Sequence, residues 1–405
     1  MKFFKPILVL SIFALTAFGC SDDDDDSNPA LNNPANPNPT SVSYDLESLG
    51  NSGVSGTGLF TENNDGSITA TLTVTGTSAG NSHPAHVHFN TAAEGGGIAI
   101  SLSAVDGATG TSTTTFNALD NSTPISFSEL RNFDGYVNIH LSDSNLATVV
   151  AQGDIGQNDL TGTLKTYNLG ERAVAGISGT IEFAERINGE ALATISLQNT
   201  PSGGRHPAHI HMNSAVEGGG IAFPLDTVDG NSGISKTNIP SLGSSQGTGY
   251  NDVLNYDGYI NVHLSANNLA TIVAQGDIGQ NELTNNTKTY VLAEKDVPGI
   301  SGNVVFSERL SGETLAKITL TGTPNGGSHP AHIHMNDATT TGPISFSFPN
   351  VDGTSGISET NISQLDDSTP ITYSDLLIYD GYINVHESDS SLNIIVAQGN
   401  IGSNE

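Results

Sequence analysis

The stretch His83-Pro84-Ala85-His86-Val87-His88 decides how the chain is organised, because near-copies of it occur twice more. The copies are His206-Pro207-Ala208-His209-Ile210-His211 and His329-Pro330-Ala331-His332-Ile333-His334, at a step of 123 residues (206 − 83 and 329 − 206). A further histidine follows each copy at the same step, as His140, His263 and His386. These positions account for all 12 histidines, so the sequence predicts three equivalent clusters of four.

The repeat extends well beyond the histidines. Tyr44, Tyr167 and Tyr290 follow the same step, as do the pairs Asp106-Gly107, Asp229-Gly230 and Asp352-Gly353. A period of this length is a whole domain, since solenoid units span roughly 20 to 50 residues. The sequence therefore predicts three domains, at residues 41–157, 164–280 and 287–403, with polar linkers at 157–163 and 280–287.

Within one repeat the pattern is that of β-strands. Ile68, Ala70, Leu72 and Val74 alternate with threonines, which predicts a strand with one buried and one wet face. A short helix is expected at 124–131, with Thr123 as its cap. We predict an all-β chain of three tandem Greek-key sandwich or barrel domains, with about seven to nine strands each.

The histidine spacing favours a metal site. His86 and His88 leave one face of a strand, about 6.6 Å apart along the backbone. If the strand of His140 is a neighbour, four imidazoles including His83 can meet, and such a set suits zinc, copper or nickel. We predict one zinc or copper ion per repeat, held by His83/His86/His88/His140, His206/His209/His211/His263 and His329/His332/His334/His386. The alternative is a hydrogen-bonded histidine network without metal.

The alternation also predicts where these histidines lie. On both strands the aliphatic residues take the opposite face, so the histidines belong on the outer face of the sheet. Tyr136, Asn138 and Asn90 share that face and are expected to hydrogen-bond to the imidazoles.

Charge and cysteine content narrow the partners. The formal net charge is −30, which argues against nucleic acid and anionic lipid surfaces, since both need basic patches. Cys20 is the only cysteine, so no disulfide can form within the chain.

The N-terminus resembles a bacterial lipoprotein signal. Residues 1–19 form a signal peptide with a basic start and a short apolar segment, and Cys20 follows as the lipidated residue. Residues 20–40 contain the acidic run Asp22 to Asp26 and a Pro- and Asn-rich tether, which resembles a surface-export signal. The resemblance implies an outer-membrane, cell-surface location, with membrane contact only through the lipid.

The repeats resemble the chordin-type (CHRD) domain. Its marks are the His-Pro-Ala-His-[Ile/Val]-His stretch, the later Gly-Tyr-[Val/Ile]-Asn-[Val/Ile]-His strand, and a closing Gly-acid-Ile-like turn. The resemblance covers nearly all of Ser41 to Gly402, although the arginine that often follows that isoleucine is absent and Glu387 replaces a leucine. It implies an all-β fold in secreted or envelope proteins, with no settled activity in bacteria.

Three functions are open from the sequence. We favour a non-catalytic binding or scaffold protein whose partner is an extracellular protein or polysaccharide, because repeated modules raise avidity. The second is a copper redox enzyme, by a fainter likeness to copper/zinc superoxide dismutases, which also carry an HxH strand outside a Greek-key barrel. The third is a structural or adhesive module whose histidines only bond one another.

Overall fold

A computed structural model describes residues 40–243 and 249–405 of the chain. The predicted signal peptide, the lipidation site at Cys20 and the tether up to residue 39 lie outside the described residues. Within the described ranges, no helix is both long and apolar enough to cross a membrane.

Each repeat folds into a closed antiparallel barrel of eight strands, which confirms the all-β prediction and the three tandem domains. Barrel 1 is built from β1 Ser41–Ser48, β2 Ser55–Glu62, β3 Ile68–Thr75, β4 Ser82–Phe89, β5 Ile98–Asp106, β6 Thr111–Phe116, β7 Asp134–Ser142 and β8 Asn145–Gly156. Barrel 2 is built from β9 Leu160–Glu171, β10 Ser178–Arg186, β11 Ala191–Gln198, β12 Arg205–Met212, β13 Ile221–Asp229, β14 Ile234–Ile239, β15 Asp257–Ser265 and β16 Asn268–Gly279. Barrel 3 is built from β17 Leu283–Glu294, β18 Ser301–Arg309, β19 Thr314–Thr321, β20 Ser328–Met335, β21 Ile344–Asp352, β22 Ile357–Ile362, β23 Asp380–His386 and β24 Ile395–Gly402.

The strand order brings the two histidine strands together. In barrel 1 the order is β1-β2-β3-β6-β5-β4-β7-β8, so the chain crosses over twice, as in a Greek key. These crossovers make β4 and β7 neighbours, with Val87 opposite Val137 and His88 opposite Tyr136. The same neighbours recur as β12 with β15 and β20 with β23.

The apolar face of each strand fills a separate core in each barrel. Strand β3 alternates between buried and more exposed residues along its whole length, as its sequence predicts. Ala85, Val87, Val137 and Ile139 are completely buried in the core of barrel 1. The histidines between them therefore project outward from the barrel wall.

The short helix of barrel 1 begins later than the sequence suggested, and each of the other barrels also has one short helix in its described residues. The helices are α1 Phe127–Leu130, α2 Gly249–Leu254 and α3 Tyr373–Leu376. The cap of α1 is Ser126 and not Thr123, because Ser126 Oγ accepts from the backbone N–H of Glu129 while the Glu129 carboxylate bonds back to the Ser126 N–H.

The connections between barrels are shorter than the expected linkers. Strand β9 begins at Leu160 and β17 begins at Leu283, inside the segments 157–163 and 280–287. The early start has a pairing partner, since Leu160 lies opposite Arg186 and Leu283 lies opposite Arg309.

A completely buried arginine joins each pair of neighbouring barrels. Arg186 of barrel 2 forms a 2.7 Å ion pair with Asp154 of barrel 1 and donates from Nε to Asn238 Oδ1 at 2.8 Å. Its Nη1 also donates to the carbonyl of Asn158 in the connection. Arg309 makes the corresponding bonds to Asp277, Asn361 and Asn281. The same polar joint therefore occurs twice.

The two outer barrels replace the joint residues with asparagine. Asn63 stands at the repeat position of Arg186, and Asn400 stands at that of Asp277. Asn400 Oδ1 accepts from the Ala338 N–H at 3.0 Å, and its Nδ2 donates to the carbonyl of Asn404 at 3.1 Å. The Asn404 carbonyl is the repeat equivalent of the Asn158 and Asn281 carbonyls, which accept from the arginines at the two joints. In barrel 3, which no further barrel follows in the described chain, Asn400 donates to this carbonyl in place of an arginine.

Candidate metal centre

Three of the four histidines in each barrel converge on the outer wall. His86 and His88 on β4 and His140 on β7 each offer a ring nitrogen, and these nitrogens all lie within 4.8 Å of one another. The ring centroids are 5.8 Å apart for His86 and His88 and 5.1 Å apart for His86 and His140. Equivalent triads are His209/His211/His263 and His332/His334/His386.

Backbone carbonyls fix the protonation of two imidazoles in barrel 1. His88 Nδ1 lies 3.0 Å from the carbonyl oxygen of Gly96, and His140 Nδ1 lies 2.7 Å from that of Leu146. A carbonyl oxygen can only accept, so each Nδ1 carries the proton and donates it. Each Nε2 is left with a free lone pair, which is the form that binds a metal.

The nitrogens left over by these bonds point into the cluster. His86 Nδ1, His88 Nε2 and His140 Nε2 are buried and have no hydrogen-bond partner within the described chain. In barrel 3 the buried nitrogens without a partner in the described chain are His332 Nδ1, His334 Nε2 and His386 Nδ1, so the third histidine differs from His140 in which nitrogen is unpaired. Because buried polar atoms normally find partners, three such atoms in one cluster mark a group that could hold a metal ion.

Barrel 2 differs in one contact. His209 Nδ1 lies 3.1 Å from His263 Nε2, and the free atom is His211 Nε2. His263 Nδ1 donates to the Leu269 carbonyl, so in the metal-free protein His209 donates the proton of this imidazole pair.

A loop after the first histidine strand covers the triad. The Gly96 carbonyl accepts from His88, and the Gly96 N–H donates to the Tyr136 hydroxyl at 3.1 Å. Tyr136 in turn stacks on the His88 ring, with centroids 5.0 Å apart and an interplanar angle of 19°. Tyr136 therefore contacts both the imidazole and the covering loop, but it stacks on the ring and its hydrogen bond goes to Gly96, not to an imidazole as expected.

Only glycine fits at the centre of that loop. A Cβ on Gly96 would lie 2.0 Å from the Phe89 carbonyl oxygen, and Gly219 and Gly342 are equally confined. Gly342 is the one glycine of the run that the third repeat keeps, although its loop otherwise reads differently. The retention of this one glycine in all three repeats is a sequence signal for the covering loop. It is missed when the glycine run is compared as a whole.

The other two proposed partners act elsewhere. Asn138 accepts from Gln152 on β8 at 2.8 Å, and Asn90 donates to the Gly95 carbonyl within the covering loop. The imidazoles are also less exposed than an outer-face position implies, since His88 is 9% and His140 is 6% exposed. The covering loop and the start of β8 account for this, because the carbonyls of Gly96 and Leu146 bond to the rings.

The fourth histidine of the predicted set lies outside the triad. His83 Nδ1 donates to the backbone carbonyl of His140 at 3.1 Å, and His206 and His329 do the same in their barrels. The four predicted histidines thus divide into a triad and a separate histidine, which hydrogen-bonds to the backbone of one triad member. His83 Nε2 is buried without a partner in the described chain.

Burial favours the neutral state of two histidines in each triad. It is the largest cause of the lowered pKa of His86, and the neighbouring His140 and His88 lower it further. Burial likewise lowers the pKa of His140, while its bond to the Leu146 carbonyl opposes that shift. The same directions hold for His209, His263, His332 and His386. Neutral imidazoles at pH 7 are ready to bind a cation without first losing a proton.

Three imidazoles suit a borderline metal ion. Zinc and copper(II) bind imidazole nitrogen, and a three-histidine site leaves a fourth position for water or another ligand. Zinc bonds of about 2.1 Å would place the nitrogens about 3.4 Å apart, which small ring movements can reach from the present spacing.

Comparison with known proteins found no matching family model, curated protein or solved structure. The resemblance to the chordin-type domain therefore stays a prediction from the motifs.

Proposed function

We propose that the chain is a non-catalytic binding protein in which each barrel holds one zinc or copper ion. The observation that carries the proposal is the convergence of three imidazoles on the wall of each barrel, together with three buried ring nitrogens in barrel 1 that have no partner in the described chain. A structural histidine network would pair these atoms with one another, as only barrel 2 does for two of its three rings. Repetition of the unit three times favours binding, because linked sites raise avidity whereas linked catalysts only add their rates.

The proposal extends to where the protein acts and what it meets. The N-terminal sequence supports a lipid anchor at Cys20 and display on the cell surface. The net charge of −30 supports a partner other than nucleic acid, namely an extracellular protein or polysaccharide. Bound metal would stabilise the wall that carries the triad and would offer its fourth position to such a partner.

Metal content tests this proposal directly. The full chain is loaded with Zn(II) or Cu(II), freed of excess metal and measured by mass spectrometry, with an expected content of three ions per chain. Replacing His86 and His88 together with alanine should lower the content to two, and the same change in every barrel should lower it to zero. His83→Gln is the matched control, because His83 lies outside the triad, and it should leave three ions bound.

Two results would change the assignment. An intact chain that binds no metal would overturn the proposal. A copper-loaded chain that removes superoxide catalytically, with loss of this activity in the His86/His88 variant, would replace binding by redox catalysis.

A further inference from the structure

The half-buried histidine of each triad has different neighbours in different barrels. His86 lies opposite Ser101 on β5, and His332 lies opposite Ser347 on β21. His209 lies opposite Pro224 on β13. Directly opposite residues of an antiparallel pair project their side chains from the same face, so each of these residues borders its triad.

The serine of barrel 1 fixes a carboxylate beside the triad. Its N–H lies 3.0 and 3.1 Å from the two oxygens of Asp120, and its Oγ donates to Asp120 at 2.7 Å. In barrel 3, Ser347 holds Asp366 through its N–H at 3.1 Å and its Oγ at 2.8 Å. The charge of each aspartate opposes the lowering of the pKa of His86 or His332, which places both carboxylates within electrostatic reach of the imidazole.

Barrel 2 has neither part of this arrangement. Pro224 has no N–H and no hydroxyl to hold a carboxylate. Gly243 stands at the repeat position of Asp120 (120 + 123), and the sequence from 240 to 250 contains no acidic residue. Asp226 is exposed on the same strand, but it is not the residue opposite His209.

A carboxylate at this place affects metal binding through the imidazole. His88 and His140 each donate their Nδ1–H to a backbone carbonyl, whereas His86 has the negative charge of Asp120 nearby instead. Such a charge raises the basicity of a metal-bound imidazole and attracts the cation itself. In barrel 2 the cation must also displace the hydrogen bond between His209 and His263.

We propose that the three sites are unequal: Asp120 and Asp366 make barrels 1 and 3 bind zinc more tightly than barrel 2. The chain then fills two sites first and the third at higher metal concentration. This proposal rests on the proposed function, since it ranks sites that must first exist. Asp120 and Asp366 act as positioning residues, because neither belongs to the group of converging nitrogens.

One-site versions of the full chain test the ranking. In each version, two triads are disabled by replacing the two histidines of their HxH strand with alanine. Zn(II) affinity is then measured by competition with a chromophoric chelator. The versions that retain barrel 1 or barrel 3 should bind about 10- to 100-fold more tightly than the version that retains barrel 2.

Two further variants separate electrostatics from folding. Asp120→Asn in the barrel 1 version should weaken zinc binding by about 10- to 100-fold. The melting temperature of the metal-free chain is measured in parallel as the check on folding, because Asp120 also accepts hydrogen bonds from Ser101. Asp120→Glu should restore part of the affinity, and Asp226→Asn in the barrel 2 version is the matched control, with no change expected.

The outcomes are distinguishable. Equal affinity in all three versions, or no effect of Asp120→Asn, would overturn the ranking and leave the proposed function intact. A weakening by Asp226→Asn would also overturn it, because barrel 2 would then use a carboxylate of its own. Absence of zinc binding in every version would instead overturn the proposed function.

Discussion

The joints between barrels and the triads on their walls differ in whether their buried polar atoms have partners. At each joint the arginine is completely buried, yet its charge meets an aspartate, and two of its three nitrogens donate to oxygen atoms. In the triad of barrel 1, three imidazoles converge and one buried nitrogen of each has no partner in the described chain. The charge of each joint arginine is balanced within the protein, although its Nη2 has no hydrogen-bond partner in the described chain, whereas each triad groups three imidazoles that could hold a cation. The comparison teaches that buried polar groups point to a ligand only where several atoms without hydrogen-bond partners lie close together.

The same contrast accounts for the variation between repeats. Asp154 and Asp277 are needed where an arginine follows in the next barrel, and Asn400 stands at the equivalent position of barrel 3, where its amide donates to the carbonyl of Asn404. The triads, by contrast, are present in all three barrels. The absence of this aspartate from the third repeat therefore has a structural explanation, because its arginine partner always belongs to the following barrel.

Breaking a joint should have the largest effect on stability. Asp154→Asn leaves the Arg186 charge buried without a counter-charge, so the affected barrels should lose about 3–5 kcal/mol in the free energy of unfolding. Urea unfolding, followed for the first transition of the full chain, measures this loss. Asn400→Asp is the matched control and should cost only about 1 kcal/mol, the value of one hydrogen bond. Equal losses in both variants would contradict the assignment of Asp154 and Arg186 as the joint.

Acid should destabilise the metal-free chain through the triads. Burial lowers the folded-state pKa of six triad histidines below their unfolded value of about 6.5, so the unfolded chain binds more protons. Their contribution is therefore fully present above pH 6.5 and is lost as the pH falls through the folded-state pKa values. Melting temperatures between pH 7.5 and pH 5 measure this loss.

A variant isolates the triad contribution to that pH dependence. Replacing His140, His263 and His386 with leucine removes one lowered pKa from each barrel and should make the acid-induced decrease shallower. An equally steep decrease in this variant would assign the pH dependence to groups other than the triads.

The smallest effect on stability is expected at a triad itself. His88→Phe keeps a ring to stack on Tyr136 and removes both the bond to Gly96 and the unpartnered Nε2, so the two changes should nearly cancel. We expect the free energy of unfolding of the metal-free chain to change by about 1 kcal/mol or less, while one metal ion per chain is lost. A loss as large as that of Asp154→Asn would mean that His88 is a structural residue like the joint arginines.

Several features of the molecule could be predicted because they depend on local pattern. The alternation in β3 and β4 specifies strands and the face that each side chain takes, and the repeat period specifies three domains. The convergence of His140 with His86 and His88 also followed from the repeat, provided that β4 and β7 were neighbours.

Other features depended on contacts that no local pattern carries. The buried arginines have an ordinary sequence setting, and only the docking of one barrel on the next shows what Arg186 and Arg309 bind. His83 looks like a ligand in the sequence because it belongs to the same short stretch. A register irregularity between His83 and Ala85 separates it from the triad, and its ring then bonds the backbone of His140.

The sequence by itself determined that the chain has three all-β repeats, that the histidines form three equal sets, and that these sets lie on the face opposite the core. It could do so because side-chain direction in a strand depends only on whether a position is odd or even. Only the tertiary structure decided that three histidines meet and the fourth does not, which ring nitrogen each presents, and which sites have a carboxylate nearby. Those properties depend on strand register, covering loops and distant hydrogen bonds, which are fixed when the barrel closes.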